Sequence, residues 1–263
     1  MKAELRPVPH KKAVAQISTL KIRDISKIFH MNDVFNPVLD GISLDIKRGE
    51  IVCLLGRSGC GKSTLLKILA GFIPPSSGDV LLNNHPVEAP APDRCIVFQE
   101  DTLFPWLTVE ENIAFGLKGK KIKKRVAQKK VAEFLSLVGL SEFKHYLPRE
   151  ISGGMKQRVA LARVLILEPE VLLMDEPFAS LDAQTREEMQ NLLLILWKKF
   201  SHTILFVTHD VNEAITLADR VVIIGKNQGR IHDIIEVDLS RPRNKESTGF
   251  LMMYRQLSRG LHD

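Results

Sequence analysis

The stretch that decides the fold is residues 51–64, IVCLLGRSGCGKST. Ile51 to Leu55 are apolar without alternation, the pattern of a strand buried on both faces of a parallel sheet. Gly56-Arg57-Ser58-Gly59-Cys60-Gly61-Lys62-Ser63-Thr64 follows and fits G-x-x-x-x-G-K-[ST]. It sits where that motif must sit, after a buried strand and opening a helix. The glycines let backbone N–H groups turn inward around phosphate oxygens. The helix start adds its partial positive charge. Lys62 is placed to reach the outer phosphates and the Ser63 hydroxyl to hold Mg²⁺.

Outward from this loop the same order of elements recurs. Before it, Val38 to Ile46 alternates, with Ile42, Leu44 and Ile46 on one face, as in a half-buried strand. After it, a helix runs to about Gly71, ahead of Pro74-Pro75. Val171 to Met174 is a second buried strand, leading to a helix over about Ala183 to Lys199. Thr203 to Val207 is a third, followed by a helix for which Asp210 and Glu213 predict a capping box. Val221–Ile224 and Ile231–Val237 flank Lys226-Asn227-Gln228-Gly229 and read as a hairpin. Strands alternating with helices predict an α/β fold around a mostly parallel sheet, with an antiparallel part beside it. Residues 101–167 differ: helical patterns dominate, Thr108 with Glu111 predicts another capping box, and the stretch reads as an inserted helical subdomain. The expected organisation is a tail over 1–17, one domain over 18–240, and a peripheral tail over 241–263.

Composition narrows the class. The 263 residues are 44% apolar and 26% charged, with 37 Lys and Arg against 31 Asp and Glu, net +6. These proportions are those of a soluble globular chain. Apolar runs such as Leu192 to Trp197 fall far short of the ~20 residues that cross a bilayer. The basic, proline-bearing stretch Met1 to Lys12 precedes no continuous apolar run, so no signal peptide is expected. Cys53, Cys60 and Cys95 are odd in number and lack CxxC spacing, which supports neither a disulfide framework nor a zinc site.

Two further motifs carry chemistry. Val171-Leu172-Leu173-Met174-Asp175-Glu176 delivers two carboxylates to the C-terminal end of a buried strand, where α/β proteins bind ligands. Asp175 is placed to hold Mg²⁺ and Glu176 to polarise an attacking water. Ile151-Ser152-Gly153-Gly154-Met155-Lys156-Gln157 opens a helix predicted over about Met155 to Leu167, a second helix start with free N–H groups for an anion.

With these residues in order, the sequence resembles the ATP-binding subunits of ABC transporters over about residues 18–240. The P-loop is Gly56 to Thr64, the Q-loop Gln99, the signature Ser152-Gly153-Gly154, the Walker B pair Asp175-Glu176, the D-loop Ser180-Leu181-Asp182 and the switch histidine His209. The resemblance implies a P-loop NTPase core and a head-to-tail homodimer. Each ATP is then gripped between one copy's P-loop and the other's signature, with Ser152 donating to the γ-phosphate across the interface. It implies Glu176, His209 and Lys62 as catalytic residues and Ser63, Gln99 and Asp175 as the Mg²⁺ set. Asp182 then touches nucleotide, and Phe29 stacks on adenine.

Pro92-Asp93-Arg94, Val97-Phe98-Gln99 and Leu103-Phe104-Pro105-Trp106-Leu107-Thr108-Val109 are similar to the nitrate, sulfonate and taurine import group. That likeness implies a separate membrane permease, met through Phe104 and Trp106, an extracytoplasmic solute-binding protein, and a place at the cytoplasmic face of the membrane. A soluble assembly machine, such as one for iron–sulfur clusters, shares the ATP chemistry and is the alternative. Arg57 stands where the group usually has proline, at a free position of the loop.

Lys118 to Lys130 is basic without an acid, which suits a solvated helix face or attraction to an anionic leaflet. Aromatics are not interleaved with these bases, so nucleic acid is not an expected partner. Cys60, among the loop amides, is expected to be a thiol that ATP shields.

Overall fold

A computed structural model of the chain describes residues 18–31, 34–100, 102–120, 122–225 and 229–261. The expected tail over 1–17 and the turn residues 226–228 lie outside these. The described strands are β1 (Ser18–Met31), β2 (Val34–Lys47), β3 (Ile51–Leu55), β4 (Ser77–Leu82), β5 (His85–Pro86), β6 (Arg94–Val97), β7 (Val171–Asp175), β8 (Thr203–Thr208), β9 (Arg220–Ile224) and β10 (Ile231–Glu236). The helices are α1 (Lys62–Leu69), α2 (Val109–Phe115), α3 (Lys124–Leu137), α4 (Gly153–Leu165), α5 (Ala183–Phe200), α6 (Val211–Leu217) and α7 (Thr248–Gly260). No helix among the described residues is long and apolar enough to cross a membrane. The described residues form two compact units, one of those before residue 91 and after residue 200, the other of those from 91 to 200.

The first unit holds two sheets. One is antiparallel, in the order β2-β1-β4-β5. Its inner face is Leu20, Ile22 and Ile25 of β1 with Leu39, Ile42, Leu44 and Ile46 of β2, all buried. The alternation of Ile42, Leu44 and Ile46 is therefore the buried face it predicts, on a strand that starts earlier, at Val34. The other sheet has β3 between β8 and β9, both parallel to it, with β10 antiparallel on the far side of β9. Every residue of β3 and β8 is buried, which accounts for their unbroken apolar runs. The β9–β10 pair is the hairpin expected from sequence.

The tail after residue 240 is not peripheral. Ser247 caps α7 through an N–H donated by Phe250. That helix buries Phe250 and Leu257, seven residues and so two turns apart on one face, as an amphipathic helix does.

The second unit pairs β6 with β7 in parallel and carries α2 to α5. It takes in more than the inserted helices read from residues 101–167, because β6, β7 and α5 fold with them. The capping box at α2 forms as predicted, with Glu111 N–H donating to Thr108 Oγ1 (3.2 Å) and Thr108 N–H to Glu111 Oε2 (2.8 Å). The Thr108 N–H and the Thr108 hydroxyl, which also donates to Glu111 Oε2 (3.1 Å), hold the Glu111 carboxyl below its usual range. Phe134 of α3 stacks on Phe200 of α5, ring centroids 5.7 Å apart. Of the basic run, Lys120 donates to Leu167 O (2.8 Å) and Lys130 pairs with Glu168 (2.7 Å), so part of it ties the unit together.

Candidate nucleotide site

In the first unit the loop from Gly56 to Gly61 joins β3 to α1. Gly61 caps α1 at φ 97°, and a Cβ there would lie 2.7 Å from Leu39 Cδ2 and 2.8 Å from Val38 O, so only glycine fits. Lys62, at 5% exposure, folds back over the loop. Its ammonium donates to Gly56 O (2.7 Å) and Arg57 O (2.9 Å) and lies 3.7 Å from Cys60 Sγ. Arg57, Ser58 and Gly59 are exposed, and so is Ser63 in the first turn of α1; Thr64 is half-buried. Nothing approaches within 4 Å of the place a Gly59 Cβ would take. The loop is thus open on the side where a phosphate chain lies in such motifs, with one centred cation behind it. Cys60, expected as a thiol that ATP shields, is already buried within the loop itself.

His209 reaches the same end of the sheet. Leu55 of β3 pairs with Thr208 of β8, so the loop and His209 leave adjacent parallel strands at one level. The expected capping box at α6 does not form. Asp210 Oδ1 accepts from Asn212 N–H (2.7 Å), but the Glu213 carboxylate turns inward and accepts from the Thr208 hydroxyl (2.6 Å). That hydroxyl in turn accepts from Asp210 N–H (3.0 Å), so the backbone is braced on either side of His209. Phe29 lies in β1, opposite Asn36 of β2, with Lys27 Nζ 5.1 Å from its ring centre.

The second unit carries the remaining candidates. Val97 of β6 pairs with Met174 of β7, so Gln99 and the carboxylates Asp175 and Glu176 leave neighbouring strand ends. Glu176 sits at φ 44°, a left-handed backbone uncommon outside glycine and associated with functional turns. Ser152 caps α4, accepting from Met155 N–H (3.3 Å); the helix starts two residues earlier than predicted. Ser152 and Gly153 are exposed. Asp182 caps α5, its Oδ1 and Oδ2 taken by the N–H (3.0 Å) and hydroxyl (2.7 Å) of Thr185, which hold its carboxyl below the usual range.

Two organisers escaped the sequence reading. Buried Gln157 of α4 donates to Gln99 O (3.1 Å) and so ties the signature helix to the Q-loop. Fully buried Asn112 of α2 holds the whole Phe104–Thr108 loop. Its Nδ2 donates to the carbonyls of Phe104, Leu107 and Thr108 (2.9–3.2 Å), and its Oδ1 accepts from Phe104 N–H (2.9 Å). Only the amide chemistry of a single residue signalled either. Asn112→Leu leaves the carbonyls of three half-buried residues without that donor, and the expected loss is about 2 kcal/mol, read from urea unfolding. On the loop, Phe104 packs on Phe115 (4.3 Å between ring centres) and beside Trp106 (5.7 Å), which is 71% exposed.

Burial pushes the Cys53 thiol well up and that of Cys95 to about 11. Neither is a thiolate near neutral pH.

A phosphate loop between a buried strand and a glycine-capped helix, on a parallel sheet, defines a P-loop NTPase. The family model described as ABC transporter matches residues 39–179. An uncharacterized ABC transporter ATP-binding protein of Methanocaldococcus jannaschii is 46% identical over 244 residues, 93% of this chain and 91% of that one. The aliphatic sulfonates import ATP-binding protein SsuB of Bacillus thuringiensis subsp. konkukian is 46% identical over 232 residues, 88% of this chain and 91% of that one. Among solved structures, cbiO1 from Clostridium perfringens, part of the ABC transporter complex cbiONQ, aligns with TM-score 0.77 at 31% identity over 93% of this chain and 98% of that one. A dimeric ATP-binding cassette in a post-hydrolysis state with ADP and Pi aligns with TM-score 0.73 at 30% identity, over 84% and 99%. The chain belongs to the ABC transporter family, and it is an ATP-binding ATPase subunit.

Proposed function

We propose that two copies of this chain pair head to tail around two Mg-ATP and power uptake of a small anion of the sulfonate class through a separate membrane permease. The likeness to the sulfonate-import subunit carries the solute class. The exposed start of α4, with Ser152 and Gly153 open, supports the pairing: it is a second anion-binding helix start that a partner's nucleotide can reach. The subunit then works at the cytoplasmic face of the membrane, with an extracytoplasmic solute-binding protein delivering the anion.

In this reading Lys62 neutralises charge on the outer phosphates, and Ser152 of the partner subunit donates to the γ-phosphate. Glu176 orients or deprotonates the attacking water, and His209 stabilises the phosphoryl group in flight. Ser63, Asp175 and Gln99 hold Mg²⁺, which when bound offsets charge between the phosphates. Asp182 and Phe29 complete the nucleotide contacts. The exposed Trp106, backed by Phe104, receives the permease, as aromatic residues suit interfaces.

The Glu176→Gln chain, purified with ATP in mild detergent from its own cells, is expected to bring a polytopic membrane protein with it. Soluble partners alone, identified by mass spectrometry, replace the transport reading with an assembly machine.

A further inference from the structure

Thr185 has one torsion and two duties. It stands in the first turn of α5, and it is β-branched, so fixing one substituent on its Cβ fixes the other. Its hydroxyl donates to Asp182 Oδ2 (2.7 Å) while its N–H donates to Oδ1 (3.0 Å). With the hydroxyl held there, the methyl points at the signature turn. A Cβ added at Gly154 would lie 2.4 Å from Thr185 Cγ2, inside any real contact distance. At Gly153, by contrast, nothing lies within 4 Å. The two glycines of one motif therefore have different causes: Gly153 keeps a surface open, and Gly154 makes room for Thr185.

The loop that ends at Asp182 is also the one that carries Glu176. Arg186, the next residue of α5, donates to Phe178 O (3.3 Å) and Leu181 O (2.8 Å) and holds that loop from the same helix turn. Within residues 91–200, one turn of α5 thus fixes the carboxylate turn on one side and meets the signature turn on the other.

We propose that Thr185 is a positioning residue for ATP hydrolysis: its single rotamer locks Asp182 and sets how closely Gly154 approaches, so the signature and carboxylate turns keep one register. Serine in its place supplies the hydroxyl without the methyl, and valine the shape without the donor; neither serves both contacts. The proposal rests on the reading that the signature acts on nucleotide.

The test is a four-variant set in the full-length chain, with steady-state ATPase measured as kcat and KM separately. Gly154→Ala is expected to lower kcat at least tenfold with KM for ATP changed less than twofold, because register rather than the P-loop is disturbed. Gly154→Ala with Thr185→Ser removes the obstructing methyl and is expected to return kcat to within threefold of Thr185→Ser alone. A Gly154→Ala chain that is fully active, or a double variant as slow as Gly154→Ala, overturns the proposal. If Gly154→Ala precipitates, recovery of a folded chain in the double variant supports the contact, and precipitation of both overturns it.

Thr185→Val supplies a readout that simple loosening does not move. Removing the hydroxyl is expected to raise the Asp182 carboxyl midpoint, followed by NMR, toward the ordinary aspartate value; an unchanged midpoint counts against the proposal. The underlying reading is tested apart from this, by ATP-driven pairing of Glu176→Gln chains. Loss of that pairing with the rescue intact removes the dimer reading and leaves the register.

Discussion

Lys62→Met is expected to lower ATP turnover by about two to three orders of magnitude, the cost of losing one preorganised charge at a phosphoryl site. The structure shows why no neighbour replaces it. The ammonium is nearly buried, and the carbonyls of Gly56 and Arg57 hold it at the centre of the loop. Arg57 is exposed, and its carbonyl rather than its guanidinium faces that centre. Lys62→Arg is expected to restore little. A planar guanidinium is larger than the ammonium, and the carbonyl pair closes on a compact charge. Stopped turnover with nucleotide binding intact, read by ATPase assay beside equilibrium binding of a fluorescent ATP analogue, assigns Lys62 to the transition state. Loss of both assigns it to binding as well. Turnover within tenfold of wild type removes Lys62 from the catalytic set.

This loop is also where the sequence was most legible, because local rules and the fold agree there. Five apolar residues without alternation, a glycine that must take positive φ and a lysine behind it admit few structures. The capping box of α2 was readable for the same reason: both partners lie within four residues. Strand β1 was not. Its register against β2 shifts four times, between Ser18 and Ile28, and Asp24 takes φ 48° there. Each shift slips the apolar residues out of period two, so Leu20, Ile22 and Ile25 share a buried face without announcing a strand. Glu213 misled for a related reason. Its spacing from Asp210 suits a capping box, but a buried hydroxyl on Thr208 competes for the carboxylate and holds it. Gln157, Asn112 and Thr185 act through partners 58, 4 to 8, and 3 to 31 positions away, and at those ranges an amide or a hydroxyl carries no periodic signal. Those residues set the geometry that the motif residues then use.

The C-terminal stretch gives the largest expected loss of stability. Arg243→Ala should destabilise the chain by about 3 kcal/mol, for a lowering of Tm of roughly 6–12 °C in a chain of this size. The guanidinium donates to Ile215 O and Ala218 O (2.6 Å to the latter), which are carbonyls at the end of α6, and to Val237 O (3.1 Å) and Leu239 O (3.0 Å) beyond β10. A helix C-terminus favours a cation, and a fork of five donors is what four separate carbonyls need. Burial pushes the Arg243 pKa down to about 9, with the like charge of Arg241 adding and Asp219 opposing, so the group stays charged at neutral pH. Arg243→Lys keeps the charge but has three donors on a point, and should recover less than half of the loss. The neighbouring Arg241 shares the work through Asp219 (2.7 Å), whose other oxygen accepts from Ile51 N–H (2.8 Å) at the start of β3. The latch is thereby joined to the strand that leads into the phosphate loop. Calorimetry on Arg243→Ala, Arg243→Lys and the unaltered chain separates the two roles. Equal losses for alanine and lysine make the fork the cause, and a mild loss for alanine, under about 1 kcal/mol, would remove Arg243 from the latch and leave α7 held by Phe250 and Leu257.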